Sequence, residues 1–310
     1  MNLEDVQLDK SEGIDHGHNS TIYIIRDDDQ RLVVKKYADT VTLRKEKTVL
    51  EHLATERLNM TTPTVYDHDL ADNTVLMSYI PGTPPSKPCP EDIWTQYAQG
   101  KQALNTIKFE AYGDLDNNFN VAKPYDTAQA YYEDEMKKFF ETLNDNQVIS
   151  QALLNSIQTV WRKASRTLRY DKGPVFIQGD PSLDNYLYKN EALQGVVDFE
   201  HSRAGNILED IYQTRDEFPA RLDKLDLFVT TLLDEPPQHK HKQLARTYHL
   251  IAQVRMLYLI PRMSWEESVD HQKRKKNRSH GHRKNQKPTF SLWWHIIKIP
   301  KRPKNSEKSL

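Results

Sequence analysis

Apolar residues follow one rhythm up to residue 80 and another beyond it. In the first part they form short, β-branched runs. Ile22, Ile24 and Ile25 lie on one side of the acidic turn Asp27–Asp29, and Leu32, Val33 and Val34 on the other, which is the pattern of a hairpin. Thr64–Tyr66 and Thr74–Ile80 predict a second strand pair. Between the two pairs, Thr42–Ala54 carries Leu43, Val49, Leu50 and Leu53 at helical spacing, with Glu46 off the core of that stripe. The proline-rich run Pro81–Pro90 then breaks regular structure and marks a lobe boundary near residue 81.

Past that run the spacing predicts helices over Ile93–Ile107, Ala128–Leu143, Val148–Leu168, Leu222–Leu233 and Leu244–Ile260. In the third of these, Ile149, Leu153, Ile157, Val160 and Trp161 share a face. One β segment interrupts the helices. Val175–Ile177 reads as a strand, and Tyr186–Tyr188 with Leu193–Val197 as a hairpin turning at Lys189-Asn190. The expected fold is therefore α+β. A small β-rich lobe with one helix covers residues 1–80, a larger, mainly helical lobe covers 81–270, and a tail covers 271–310.

The β interruption also concentrates the chemistry. The strand delivers Gln178-Gly179-Asp180 into a loop, and the hairpin begins just after Asn185 and ends at Asp198. All three functional groups can therefore meet. An Asp that can meet a hydroxyl, with an Asn and a second Asp nearby, is what metal-assisted phosphoryl transfer needs. One carboxylate orients the nucleophile and accepts its proton. The amide oxygen and the other carboxylate hold Mg2+ against the phosphates, and two such ligands suffice because Mg2+ keeps several waters.

Gly179-Asp180, Asn185 five positions after that Asp, and Asp198-Phe199-Glu200 one hairpin later resemble the catalytic core of the aminoglycoside phosphotransferase and choline kinase superfamily. The usual pattern there is H-G-D-x-x-x-x-N followed by D-[FW]-E, and this chain departs from it at Gln178, where the family has a loop-ordering histidine. Gln178 still donates and accepts hydrogen bonds. The resemblance covers residues 13–212. It implies a protein-kinase-like, two-lobed fold and transfer of the γ-phosphoryl group of a nucleotide to a hydroxyl of a small molecule. An aminoglycoside, a choline-like amino alcohol and a sugar are the acceptor classes it suggests. It implies ATP and Mg2+ as cofactors and leaves GTP open.

Carried over residue by residue, the resemblance makes Asp180 the base and Asn185 and Asp198 the metal ligands. Glu200 and Gln178 become residues that support a metal-bound water or touch substrate. Lys35, in Val33-Val34-Lys35, matches the phosphate-pairing lysine, and Glu46 its helix partner, with Glu51 the competitor. On a strand Val33 and Lys35 share a face while Lys36 points away. Gly17, Asn19, Ser20 and Thr21 match the loop over the phosphates, although one glycine stands where protein kinases have three. Ser78, Tyr79 and Ile80, before Pro81-Gly82, match the backbone that binds adenine, with Met77 behind them. Asp210, five positions after Gly205, matches the aspartate that holds the catalytic loop's backbone. Protein kinases themselves match less well, since no A-P-E follows.

Composition adds a boundary and a question. A single cysteine, Cys89, excludes intrachain disulfides and suits a reducing cytosol. No apolar run approaches the roughly 18 residues of a membrane-spanning helix. Of the 43 Lys and Arg residues 13 lie from His271 onward, against one of the 44 Asp and Glu residues, so an acidic body precedes a basic tail. An acidic body attracts cationic acceptors and equally serves plain solvation. Residues 273–302 join polybasic stretches to Phe290, Trp293 and Trp294, which suits an anionic membrane surface, nucleic acid, or docking on the protein itself. The expected location is the cytoplasm, with peripheral membrane contact through the tail. Two other readings stay open on the sequence. They are a catalytically inactive nucleotide-binding module and an adaptor acting through the tail.

Overall fold

Strand β3 (Gln30–Tyr37) is central to the N-terminal sheet and carries both its hydrophobic core and its chemistry. The sheet is antiparallel, in the order β1-β2-β3-β5-β4, with β1 (Gly13–His16), β2 (Ser20–Asp27), β4 (Val65–Asp69) and β5 (Thr74–Ser78). This computed structural model describes all residues except 1, 2, 7, 9, 10, 12, 17–19, 28, 29, 87, 88, 171, 214–216 and 260–310. The tail, and with it 273–302, lies outside the described residues, as do Gly17 and Asn19.

Alternation along β3 gives the two faces different work. Leu32 and Val34 pack with Ile25 and Leu76 into a cluster covered by Leu3, Val6, Leu8 and Tyr23. Lys35 and Tyr37 occupy the other face and are buried. Lys36, pointing away from them, pairs with Asp72 at the surface, 2.6 Å apart.

Helix α1 (Thr40–Leu53) starts two residues earlier than its apolar spacing predicts, because Asp39 caps it: the Asp39 Oδ1 accepts from the Thr42 N–H at 2.8 Å. Leu43, Glu46, Val49, Leu50 and Leu53 are its buried residues. Glu46 thus lies inside the buried stripe rather than off it. A carboxylate survives there because three donors from two other segments reach it, as described below.

The second part contains α2 (Glu91–Leu104), α3 (Ala128–Asp145), α4 (Gln151–Ala164), α5 (Glu209–Tyr212), α6 (Phe218–Asp223), α7 (Leu225–Leu233) and α8 (His239–Leu259). A three-stranded sheet, β6-β10-β7, joins Gly113–Asp114, Arg203–Gly205 and Val175–Ile177, and β8 (Tyr186–Lys189) pairs with β9 (Ala192–Val196). Two helix expectations are corrected. The span Val148–Leu168 shortens to α4 plus a 3-10 turn, since Ser150 caps the helix through the Leu153 N–H. Its buried face is Leu154, Ile157 and Trp161, while Val160 is exposed. The span Leu222–Leu233 is broken at Lys224, where the Lys224 N–H turns back to the carbonyls of Ala220 and Arg221 and ends α6.

Contacts between the N-terminal sheet region and the helical part are local and specific. Gly82, at φ +136°, lets the chain leaving β5 press on β8, where a Cβ would meet the Tyr188 carbonyl oxygen at 2.9 Å. At the far end of α1, the His52 ring stacks on Phe119 at 3.8 Å. Thr48 Oγ1 donates to the Asn117 carbonyl at 3.0 Å.

Phe228 on α7 is fully buried, with ring centroids 6.0 Å from Trp94 and 6.1 Å from Tyr212. It fastens α7 to α2 and α5. Phe228→Ala is expected to cost about 3–5 kcal/mol of stability, read from urea denaturation midpoints, and a loss near zero contradicts this packing.

Candidate active site

The site is organised around a buried ammonium. Lys35 Nζ lies 2.6 Å from Glu46 Oε2, 2.9 Å from Asp198 Oδ1 and 3.7 Å from Glu200 Oε2. Burial works against its charge, but the three carboxylates outweigh burial and raise its pKa. Glu46 is satisfied on both oxygens. Oε2 also accepts from Tyr37 OH at 2.8 Å, and Oε1 accepts from the Phe199 N–H at 3.0 Å. One carboxylate on α1 thereby ties β3 to the segment Asp198-Phe199-Glu200. Glu51, the competing candidate, instead pairs with Lys47 one helical turn away, at the surface.

Asp198 sits at φ +67°, in the left-handed region that a non-glycine residue adopts at some cost. Its side chain retains 32% exposure while those of Lys35 and Glu200 retain 6% and 7%, so Asp198 is the carboxylate of this group that opens to solvent. One carboxylate oxygen from each of Glu46, Asp198 and Glu200 falls within 4.8 Å of the other two.

Asp180 leaves β7 across Gly179, whose φ is +83° and whose Cβ, if present, would lie 1.9 Å from the His201 carbonyl oxygen. Only glycine fits there. Asn185 Nδ2 donates to Asp180 Oδ2 at 3.0 Å and to the Asp180 carbonyl at 3.2 Å. This leaves the Asn185 side-chain Oδ1 for another partner. Burial, and then the charge of Asp198, raise the pKa of Asp180.

The loop is held from below by polar groups with little exposure. Asp210 Oδ2 accepts from the Gln178 N–H at 2.7 Å, and Oδ1 from the Gly179 N–H at 2.9 Å. Gln178 Nε2 donates to the carbonyls of Val197 at 2.7 Å and Asp198 at 3.1 Å. Two buried cations that the sequence reading did not single out complete the support. Lys101 Nζ reaches Asp210 Oδ2 at 2.7 Å and Gln178 Oε1 at 3.0 Å. Arg221 donates to the carbonyls of Pro181, Asp210 and Ile211 and to Tyr97 OH, and pairs with Glu217. Neither belongs to a motif. Their only sequence signal is a Lys at an inward position of α2 and an Arg within a short helix, which ordinarily reads as surface charge.

The remaining residues singled out from the sequence lie at the N-terminal sheet. Ser20 and Thr21 open β2, paired with Tyr37 and Lys36. Ser78 ends β5, with its N–H on the Thr64 carbonyl and its Oγ accepting from the Thr64 N–H. The Tyr79 ring lies under the Arg31 guanidinium at 5.5 Å, and Ile80 is buried.

A five-stranded antiparallel sheet with one helix, over a helical part whose loop carries Asp180 and Asn185 beside Asp198, defines a kinase-like phosphotransferase acting on hydroxyl groups. The chain belongs to the phosphotransferase enzyme family, whose sequence profile matches residues 10–248. Solved structures agree on the fold. A thermostable aminoglycoside phosphotransferase APH(4)-Ia, in ternary complex with AMP-PNP and hygromycin B, superposes with a TM-score of 0.62 at 14% identity, covering 80% of this chain and 86% of that one. The streptomycin–ATP complex of APH(2'')-IIa gives 0.57 at 18% identity, covering 85% and 90%. A candidate fructosamine-3-kinase from Thermobifida fusca gives 0.53 at 16% identity, covering 78% and 94%. Among curated proteins, no sequence matches.

The raised pKa of Asp180 has a stability consequence. Native-state stability falls as pH rises from the usual aspartate value through the raised one, because only the folded chain resists losing that proton. Asp180→Asn removes the burden. The variant should melt at or above the wild-type temperature at pH 7, with the advantage vanishing below the usual aspartate range. A markedly lower melting temperature at pH 7 contradicts this.

Proposed function

We propose that this chain transfers the γ-phosphoryl group of ATP to a hydroxyl of a small molecule, with an aminoglycoside, an amino alcohol or a sugar as acceptor. The observation that carries the reading is the meeting of two pairs. Lys35 held by Glu46 adjoins Asp198, and Asp180 held by Asn185 lies on the same loop system. The neighbours in complex with AMP-PNP or ATP and an aminoglycoside support both halves of the reading, nucleotide and hydroxyl acceptor. With a single cysteine, and no helix among the described residues long and apolar enough to cross a membrane, we assign the activity to the cytoplasm.

Asp180 accepts the acceptor's proton and aims its oxygen in line with the phosphorus. The transition state of such transfers is loose, so aiming matters more than proton affinity. Lys35 pairs with phosphate oxygens, and Glu46 keeps it in place. Ser20 and Thr21 lie where the loop over the phosphates begins its strand, and Tyr79 and Ile80 offer backbone groups to the base.

A divalent cation fits the residues present. Asp198 offers a carboxylate open to solvent, Asn185 an amide oxygen not engaged by Asp180, and Glu200 a third hard oxygen near that of Asp198. Bound there, Mg2+ supplies charge neutralisation across the phosphates. The chain's own share is to hold those oxygens still, which Gln178 does at the Asp198 carbonyl.

ATP turnover measured against a panel of amino alcohols, sugars and aminoglycosides tests the reading. Asp180→Asn should lower kcat by roughly 10²–10⁴ with nucleotide affinity unchanged. Asp198→Ala should abolish metal-dependent turnover, and Asn185→Ala should raise the Mg2+ concentration required. Normal turnover by Asp180→Asn, or no turnover with any acceptor alongside tight nucleotide binding, contradicts the proposal.

A further inference from the structure

We infer that Lys101 is a positioning residue for phosphoryl transfer: its ammonium fixes which way the Gln178 amide faces, and that amide fixes the peptide on either side of Asp198. The inference rests on the reading of Asp198 as a metal ligand and extends it to a residue that touches neither substrate nor metal.

A glutamine amide has one accepting and one donating end, and the two have nearly the same shape. Gln178 is completely buried, so water cannot correct a wrong choice. On one side it faces two acceptors, the carbonyls of Val197 and Asp198. On the other it faces Lys101 Nζ at 3.0 Å and Tyr186 OH at 3.3 Å. Tyr186 OH can donate or accept, so it does not discriminate. An ammonium has no lone pair to offer. On the inner side Lys101 therefore dictates that Oε1 turns inward, in agreement with the two carbonyls that draw Nε2 toward Asp198. In the opposite orientation Oε1 would oppose two carbonyl oxygens, and Nε2 would oppose a cation.

The orientation matters because of what Nε2 holds. Asp198 lies in the left-handed region without being glycine, and the two carbonyls that flank its φ and ψ rotations are the two that Gln178 grips. Releasing them lets the backbone relax and swings the carboxylate. The same ammonium also sits on Asp210, which accepts the N–H groups of Gln178 and Gly179. One charge thus sets the backbone leading to Asp180 and the backbone carrying Asp198.

Packing alone does not call for a lysine here. Lys101 is 1% exposed, between the rings of Tyr97 and Tyr186, and burial lowers its pKa even with Asp210 at 2.7 Å. Apolar residues of similar volume commonly replace buried ion pairs without loss of stability. The chain keeps a buried cation next to the one position where it departs from the usual histidine.

The test compares Lys101→Met, Gln178→Met, the double variant and Asp198→Ala in the full chain. The readouts are Mn2+ affinity by electron paramagnetic resonance with a non-hydrolysable ATP analogue bound, analogue affinity in EDTA, and melting temperature. Lys101→Met and Gln178→Met should each weaken Mn2+ binding about 10–100-fold and leave analogue affinity in EDTA unchanged. The double variant should be no weaker than the poorer single one, since both act through one amide. Should Lys101→Met fail to fold because Asp210 is left alone, Lys101→Gln keeps a donor for Asp210, removes the charge and should weaken Mn2+ in the same direction. Mn2+ affinity within twofold of wild type in the folded Lys101 variant, whatever its melting temperature, overturns the inference and leaves the metal reading intact if Asp198→Ala abolishes Mn2+ binding. If Asp198→Ala binds Mn2+ normally, the metal reading fails, and this inference fails with it.

Discussion

The site depends on one buried charge being shared. Lys35 reaches carboxylates from α1 and from the segment that follows β9, and each partner alone would be poorly accommodated. A buried ammonium without carboxylates, or Glu46 without an ammonium, carries a desolvation cost that drives the group to neutralise or the structure to rearrange. Together they are stable in one geometry, and that geometry brings β3, α1 and the Asp198 segment into register. The proposed nucleotide site is therefore already ordered by charges of the protein's own.

That arrangement has a functional corollary. Asp198 pairs with Lys35, and both groups are assigned to the ligand in the proposed reaction. Nucleotide and metal would separate them, giving Lys35 a phosphate and Asp198 a cation. Glu46 need not move, because its other contacts, Tyr37 OH and the Phe199 N–H, belong to the protein. The loop bearing Asp180 is likewise insulated from the exchange by Asp210, Lys101 and Arg221 beneath it.

Much of this was legible in the sequence because the motif is a matter of local chain geometry. Asp180, Asn185 and Asp198 are separated by a turn and a hairpin, so their spacing alone brings them together. Four of the five strands of the N-terminal sheet followed from β-branched runs and turn residues, whereas Gly13-Ile14-Asp15-His16 reads as a turn-rich loop and is β1. Glu46 was found through its partner Lys35 but placed on the wrong side of its helix, since a hydrophobic stripe does not reveal a carboxylate that three donors make acceptable. Lys101 and Arg221 escaped for the same reason in reverse. Long charged side chains normally face water; the partners of Lys101, Gln178 and Asp210, are 77 and 109 positions away, while Arg221 reaches backbone carbonyls that leave no mark in a sequence, and its pair with Glu217 four positions away reads as ordinary surface charge. Helix ends at Asp39, Ser150 and Lys224 shifted with capping geometry that apolar periodicity does not carry.

The central claim is that, with nucleotide and metal bound, Lys35 pairs with phosphate and Asp198 with the metal. A crystal structure of the chain with a non-hydrolysable ATP analogue and Mg2+ tests it most directly. The account predicts that Lys35 Nζ keeps Glu46 at ion-pair distance and contacts a phosphate oxygen, while Asp198 Oδ1 leaves Lys35 for the metal. A complex in which Lys35 and Asp198 stay bonded and the phosphates lie elsewhere contradicts it.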